Sequence, residues 1–225
     1  MQLSTRTIDI LRNFSSINAN LVVDSGNTIK TMSAARNLVS SATIEETFPQ
    51  SFGVYDLAEF LSVIGLVNNP QITFSDNYCT VSDASGLSSI KYFYSDREML
   101  SYPKKDIEMP PCEVKFILNV NVLQQIKRAS SALGHKEISV TPSGGSIQLS
   151  VVDPKDNTSN SFSVIVDGQY PEDSDFNLVF SVDNLKLINE DYEVEASSRM
   201  ISKFKSLDSN IVYFIALEKA STYGA

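Results

Sequence analysis

Long apolar runs are missing from this chain. None approaches the roughly 18 to 20 residues of a bilayer span, and the longest, at 63–67 and 211–217, have the length of core elements. A membrane-spanning role is therefore not expected. The opening Met1-Gln2-Leu3-Ser4-Thr5-Arg6 lacks the charged start, apolar middle and small-residue cleavage site of a secretion signal. Cysteine and histidine are nearly absent: Cys79 and Cys112 have no CxxC spacing, and His135 is the single histidine. That excludes the usual zinc sites and the Cys-His and Ser-His nucleophilic designs. No Gly-rich phosphate loop occurs, and Gly144-Gly145 is explained by a hairpin turn between two strands. Adjacent carboxylates at Glu45-Glu46 and Glu190-Asp191 have no other site residues near them and read as solvated loops. No metal, cofactor or catalytic residue is expected.

What is present describes a soluble, core-forming chain. It has 225 residues, 42% hydrophobic and 20% charged, which is long enough for one large domain or two small ones. The 27 acidic and 18 basic residues give a net charge of −9, which argues against a surface that coats nucleic acid wholesale but leaves room for a local basic lining. Divided at Pro110, the chain carries 8 basic and 12 acidic residues, then 10 and 15, so the halves are electrically alike at −4 and −5.

The hydrophobic pattern repeats between those halves. Residues 4–17 form an amphipathic helix with Ile10, Leu11, Phe14 and Ile17 on one stripe and Thr5, Asp9, Arg12 and Ser16 opposite. Strands follow at 21–23, 29–32 and 41–45, then a helix at 55–67 and strands at 71–74, 79–81 and 89–94. In the second half, Asn121 and Gln124 resemble a capping box that opens a helix with Val122, Leu123, Ile126, Ala129 and Leu133 as its stripe and Gly134 as its stop. Strands at 137–141, 146–151 and 161–166, a short helix at 182–188, and strands at 192–196, 203–206 and 211–218 complete it. The expected organisation is a domain at 1–95, a Pro- and charge-rich connector at 96–111, and a similar domain at 112–225, both α+β.

Two helix faces escape the acidic bias. The first helix has Arg6 and Arg12 against Asp9; the third has Lys127 and Arg128 with no acid, and Lys136 just past its end. Such strips suit phosphates without reading sequence, although each alone also reads as a plain solvated face.

At this point the residues resemble a family. Leu3-Ser4, Leu11-Arg12-Asn13-Phe14, Ile17-Asn18, Tyr55-Asp56-Leu57, Phe60-Leu61 and Leu66-Val67, with weaker support from Leu123-Gln124-Gln125, Ile211-Val212-Tyr213 and Ala216-Leu217-Glu218, are similar to the sliding clamps that act as DNA polymerase processivity factors, in particular the trimeric clamps of T-even-type bacteriophages. The resemblance spans nearly the whole chain and rests on the order of these segments, since none is a catalytic signature.

The resemblance implies an α+β chain of two similar domains with the DNA clamp fold. Three copies would close head to tail into a ring, with helices lining the hole and antiparallel sheets outside. Arg6, Arg12, Lys127, Arg128 and Lys136 would face encircled double-stranded DNA, joined by Lys186 on the fourth helix, whereas the second helix offers Asp56 and Glu59 but no base. It also implies a partner-peptide pocket near the connector, for which Met99, Leu100, Tyr102, Ile107 and Met109 are candidates; a connector merely anchored to its own domains explains them equally well. The expected partners are DNA polymerase, an ATP-dependent clamp loader and a late-transcription factor, in the cytoplasm of an infected host cell, and no enzymatic activity is expected. The competing reading is a structural assembly protein built of duplicated β-rich modules.

Overall fold

The computed structural model describes residues 1–156 and 158–224, which divide into two compact units, 1–106 and 107–225. Unit 1 runs α1 (Thr5–Ile17), β1 (Leu21–Val23), β2 (Gly26–Met32), β3 (Leu38–Phe48), β4 (Phe52–Val54), α2 (Leu57–Gly65), β5 (Gln71–Phe74), β6 (Tyr78–Ser82) and β7 (Ser89–Phe93). The antiparallel order β3-β2-β1-β4 makes one sheet, and β5-β6-β7 a second. Burial in β3 alternates from Leu38 through Ala42 to Ile44, the period of a strand with one face on a core. Phe48, Phe52, Phe60 and Phe74 meet in edge-on or tilted ring contacts that knit the end of β3, β4, α2 and β5 together.

Unit 2 runs β8 (Val114–Leu118), α3 (Val120–Leu133), β9 (Glu137–Ser143), β10 (Ser146–Val152), β11 (Phe162–Val166), β12 (Gly168–Gln169), β13 (Asp175–Ser181), a 3-10 turn at Val182–Asn184, β14 (Tyr192–Ser197), β15 (Ile201–Ser206), β16 (Ile211–Ala216) and β17 (Thr222–Gly224). Its sheets follow the antiparallel orders β12-β8-β14-β15-β16 and β11-β10-β9-β13-β17. Tyr192, Phe204 and Tyr213 are buried and stack edge to face across β14, β15 and β16. Gly168 is required by close approach: a Cβ there would lie 2.3 Å from Ile147 Cδ1 and 2.8 Å from the Lys115 carbonyl oxygen.

Several sequence expectations are revised. The helix at 55–67 is shorter, because Asp56 caps it by accepting from the Ala58 and Glu59 amides. The third helix starts at Val120, capped by Asn119 rather than Asn121, since the unforeseen strand β8 pairs with β14 as far as Leu118. Its buried stripe is Val122, Leu123, Ile126 and Ser130, with Ala129 and Leu133 only half-buried. The fourth helix at 182–188 is absent. One 3-10 turn without a side-chain cap gives way to a segment in which Leu185 and Leu187 are buried and Lys186 exposed, a period of two. Seven residues are too few to offset helix nucleation without caps. Strand β13, which pairs with β9, was also unforeseen.

Of the paired carboxylates only Glu45 is solvated, on β3 and not in a loop; the other three are engaged. Glu46, on β3, accepts from the Ser4 backbone amide and from Thr7 Oγ1 at 2.5 Å, closing the start of α1. Asp191 accepts from the Val120 amide at 2.7 Å and closes the start of α3. Glu190 is buried and holds Ser206 Oγ at 2.6 Å and Ser209 Oγ at 2.8 Å.

Burial raises the Glu46 pKa, but the hydrogen bonds from Thr7 and Ser4 outweigh it, and the group titrates below its ordinary value. A depressed carboxylate stabilises the fold above its unfolded pKa, and that contribution is lost as pH falls through the folded value. Glu46→Gln is therefore expected to cost about 1 kcal/mol near neutral pH, below the usual value for a charged hydrogen bond because the group is partly solvated. The difference should begin to shrink as pH falls through the ordinary glutamate value of about 4.3 and be lost only in stronger acid, below the depressed folded value. Urea unfolding of both proteins at several pH values measures it, and a pH-independent difference would refute the charge assignment.

Candidate nucleic-acid interface

Helix α1 is fixed at its first turn by Ser4, whose Oγ accepts from the Thr7 amide at 3.2 Å. Thr7, Ile10, Leu11, Phe14 and Ile17 are buried, so Thr5, Asp9, Arg12 and Ser16 face solvent. Arg12 is exposed and pairs with Asp9 at 3.1 Å, one turn away. Arg6 is half-buried and engaged in interactions of its own. Beside α1 lies α2, whose outer residues Ala58, Glu59 and Ser62 include no base.

On α3, the Asn119 side chain accepts from the Val122 amide at 2.9 Å, and Gly134, at φ 73°, ends the helix. A residue with a Cβ would be strained in that left-handed conformation. The solvent face consists of Asn121, Gln124, Gln125, Arg128, Ser131 and Ala132. Fourteen residues without one acid are notable in a chain of net charge −9.

Lys127 does not share that face. It is half-buried, its Nζ donates to the Leu187 carbonyl oxygen at 3.3 Å, and burial holds its pKa below the ordinary lysine value. The lysine thus ties the 185–187 segment to α3. Lys136 is exposed and paired with Asp183 at 3.2 Å. Lys186 is exposed on the irregular segment, not on a helix. Unit 2 thus gathers Lys127, Arg128, Lys136 and Lys186 around α3 and its neighbouring segment, with Arg128 the outward charge of the helix itself.

The connector candidates separate. Leu100 is buried in unit 1 against Gly53, where an added Cβ would lie 2.6 Å from Leu100 Cδ1, so it anchors the connector to that unit. Met99 is exposed, whereas Ile107 and Met109 are half-buried in unit 2. Tyr102 lines a cleft of about 800 Å³ formed within unit 1 by β1, β2 and residues 97–106. Its walls are largely polar. Arg97 pairs there with Asp24 at 2.5 Å, and its guanidinium lies 4.7 Å from the centre of the Tyr102 ring. Sequence reading missed the cleft because its bases, Lys30, Arg97, Lys104 and Lys105, come from distant segments.

Among the described residues, no group of three or more His, Cys, Asp or Glu side chains converges as metal ligands would. Cys79 and Cys112 are both free, and burial pushes the Cys79 thiol up to about 11.

Comparison with known proteins places this arrangement. Residues 4–94 match the family of DNA polymerase processivity factors, and residues 115–219 match the C-terminal domain of the gp45 sliding clamp. The sliding clamp of Vibrio phage KVP40 is 32% identical over 223 residues, covering 97% of this chain and 99% of that protein. The sliding clamps of Escherichia phage RB69 and Enterobacteria phage T4 are 28% and 26% identical, each covering 99% of both chains. Among solved structures, the proliferating cell nuclear antigen of Entamoeba histolytica superposes with a TM-score of 0.66 at 12% identity over 94% of each chain. That of A. fulgidus, solved with the C-terminal region of FEN-1, gives 0.71 at 12% identity over 98% of each. The duplicated helix-on-sheet plan is thus that of the clamp fold, and the chain belongs to the phage sliding-clamp family of DNA polymerase processivity factors.

Proposed function

We propose that three copies of this chain close head to tail into a ring that encircles duplex DNA and tethers the replicative polymerase. The observation that carries this reading is that each unit has an open sheet edge exposing a large apolar residue. Strands β7 and β11 pair on one side only among the described residues. They expose Phe93 at 67% and Ile165 at 61% of their surface. By contrast, the outer edge of β5 is covered by Met1, which exchanges two 2.7 Å hydrogen bonds with Ile72. An unpaired, apolar edge invites another strand. Two different edges on one chain make a head-to-tail contact, which generates a ring when its rotation closes.

In the ring, the helices would form the inner wall, with Arg128 and Arg12 as its outward bases and Lys136 and Lys186 nearby. Contact with phosphate would be loose, as sliding requires, and the acidic remainder of the surface would repel DNA elsewhere. Retention is then topological. The ring acts without catalysis, is opened by an ATP-dependent loader, and serves a late-transcription factor as well as the polymerase, in the cytoplasm of the infected host cell. The two compact units correspond to two clamp domains, joined by a connector over residues 96–111.

Sedimentation equilibrium is expected to give three times the 24.8 kDa chain mass, and Phe93→Glu or Ile165→Glu should each shift it to monomer with little change in thermal stability. A stable dimer, or a trimer indifferent to both substitutions, would refute the edge-to-edge ring. Loaded on nicked circular DNA, the protein should survive a salt rise that strips phosphate binders, and leave when the circle is cut.

Arg128→Glu should lower clamp-dependent synthesis on primed circles several-fold while the trimer mass is unchanged, since like charge then faces phosphate. Lys127→Glu is a poorer probe, because it sets a carboxylate against the Leu187 carbonyl. Unchanged synthesis by Arg128→Glu would remove α3 from the DNA-facing wall.

A further inference from the structure

Residues 185–188 are tied to α3 without forming a helix, so their backbone groups need partners outside the segment. The Leu185 amide still closes the 3-10 turn, donating to the Val182 carbonyl oxygen at 3.0 Å. Beyond it, side chains from three elements take over. Lys127 of α3 donates to the Leu187 carbonyl oxygen at 3.3 Å, Tyr213 of β16 accepts from the Ile188 amide at 3.3 Å, and Tyr192 of β14 donates to the Ile188 carbonyl oxygen at 2.8 Å. Both tyrosines are buried. Leu185 and Leu187 are buried as well, and Lys186 is left exposed between them. Lys127 is the unusual member: its ammonium is half-buried, makes no ion pair among the described residues, and is shifted in pKa by burial alone, downward. A charge withdrawn from water in this way needs strong acceptors, and here a backbone carbonyl serves as one.

We propose that Lys127, together with Tyr192 and Tyr213, is a positioning residue: it latches residues 185–188 to α3, so that Lys186 stands in fixed relation to Arg128 on the wall that faces duplex DNA. Lys127 does not itself touch phosphate. To do so its ammonium would have to leave the Leu187 carbonyl and swing out of the half-buried site, leaving a buried acceptor without its donor. Lys186 and Arg128 need no such change, since both are exposed. Two bases held in fixed relation meet the sugar-phosphate backbone together and orient it without reading sequence. A lysine on a loose segment would have to be ordered at each encounter, at a cost in backbone and side-chain freedom, and its contact would weaken.

The proposal rests on the encircling-ring reading for the contact with DNA. The latch does not, because Lys127, Tyr192, Tyr213 and residues 185–188 all lie within unit 2 of one chain.

Hydrogen exchange on the free protein, read by mass spectrometry, tests the latch; clamp-dependent synthesis on primed circles at raised salt tests what it positions. Lys127→Met keeps an unbranched apolar stem and removes the ammonium, so peptides covering 183–190 are expected to exchange roughly tenfold faster or more. Lys186→Met should leave that exchange as it was. Tyr213→Phe deletes one hydroxyl and should speed the same peptides, which keeps the latch testable if the thermal midpoint or sedimentation mass shows that Lys127→Met folds poorly. In synthesis, Lys127→Met and Lys186→Met should each lower product length roughly twofold or more, and the double variant should fall no further than Lys186→Met alone, because Lys127 acts through Lys186. Effects that multiply in the double variant would make Lys127 a phosphate ligand in its own right and overturn the proposal. Unchanged exchange at 183–190 in both Lys127→Met and Tyr213→Phe would overturn it too. Faster exchange with synthesis unaffected by Lys186→Met would overturn the positioning role and leave a structural latch. If the unaltered chain stimulates no synthesis with its polymerase and loader, the ring reading fails, and exchange alone decides the latch.

Discussion

A carboxylate brought from elsewhere in the fold closes the first turn of each long helix, Glu46 for α1 and Asp191 for α3. The first amides of a helix have no partner within it and carry partial positive charge, so each carboxylate both satisfies donors and sits at the favourable end of the helix dipole. Because Glu46 belongs to β3, and Asp191 directly precedes β14, the same bonds set where each helix begins relative to strands of its unit. Burial of Phe14 in α1 and of Ile126 in α3 then sets the rotation. Start and rotation together decide which residues face water, and the near-absence of acid on those faces follows from their placement.

The helices themselves were legible in the sequence because their stripes are regular, and Gly134 marks a stop that sequence and structure share. The start of α3 was not. Val114-Lys115-Phe116-Ile117-Leu118-Asn119-Val120 runs apolar through a change of period, and two asparagines offer themselves as caps. Pairing of β8 with β14 decides between them, and pairing is a long-range fact that no local window contains. The stretch at 182–188 shows the converse. Apolar residues at Val182, Leu185 and Ile188 fit a helix as well as Leu185 and Leu187 fit an extended chain, and packing beside α3 selects the second.

Charge was read well in total and poorly in place. Composition established that any positive surface had to be local, but it could not tell an ammonium facing solvent from one spent inside. Lys127 and Arg128 are adjacent in sequence, yet one step around a helix is about 100°, enough to send Lys127 under the Leu187 carbonyl while Arg128 points outward. Leu100 is the apolar counterpart: greasy for a connector, it fills the space left by Gly53, so its hydrophobicity reports anchoring.

Clamp function makes unusual demands on charge. A protein held on DNA by closure gains nothing from tight phosphate contact, which would convert sliding into a series of counterion-dependent stops. One outward Arg on α3 and an Arg12 already shared with Asp9 are consistent with that demand. Protein recruitment has the opposite requirement, since a docked segment must stay in one place and orientation. The chain can therefore be nearly neutral where it must slide, within a net charge of −9 that discourages binding to its outer surface.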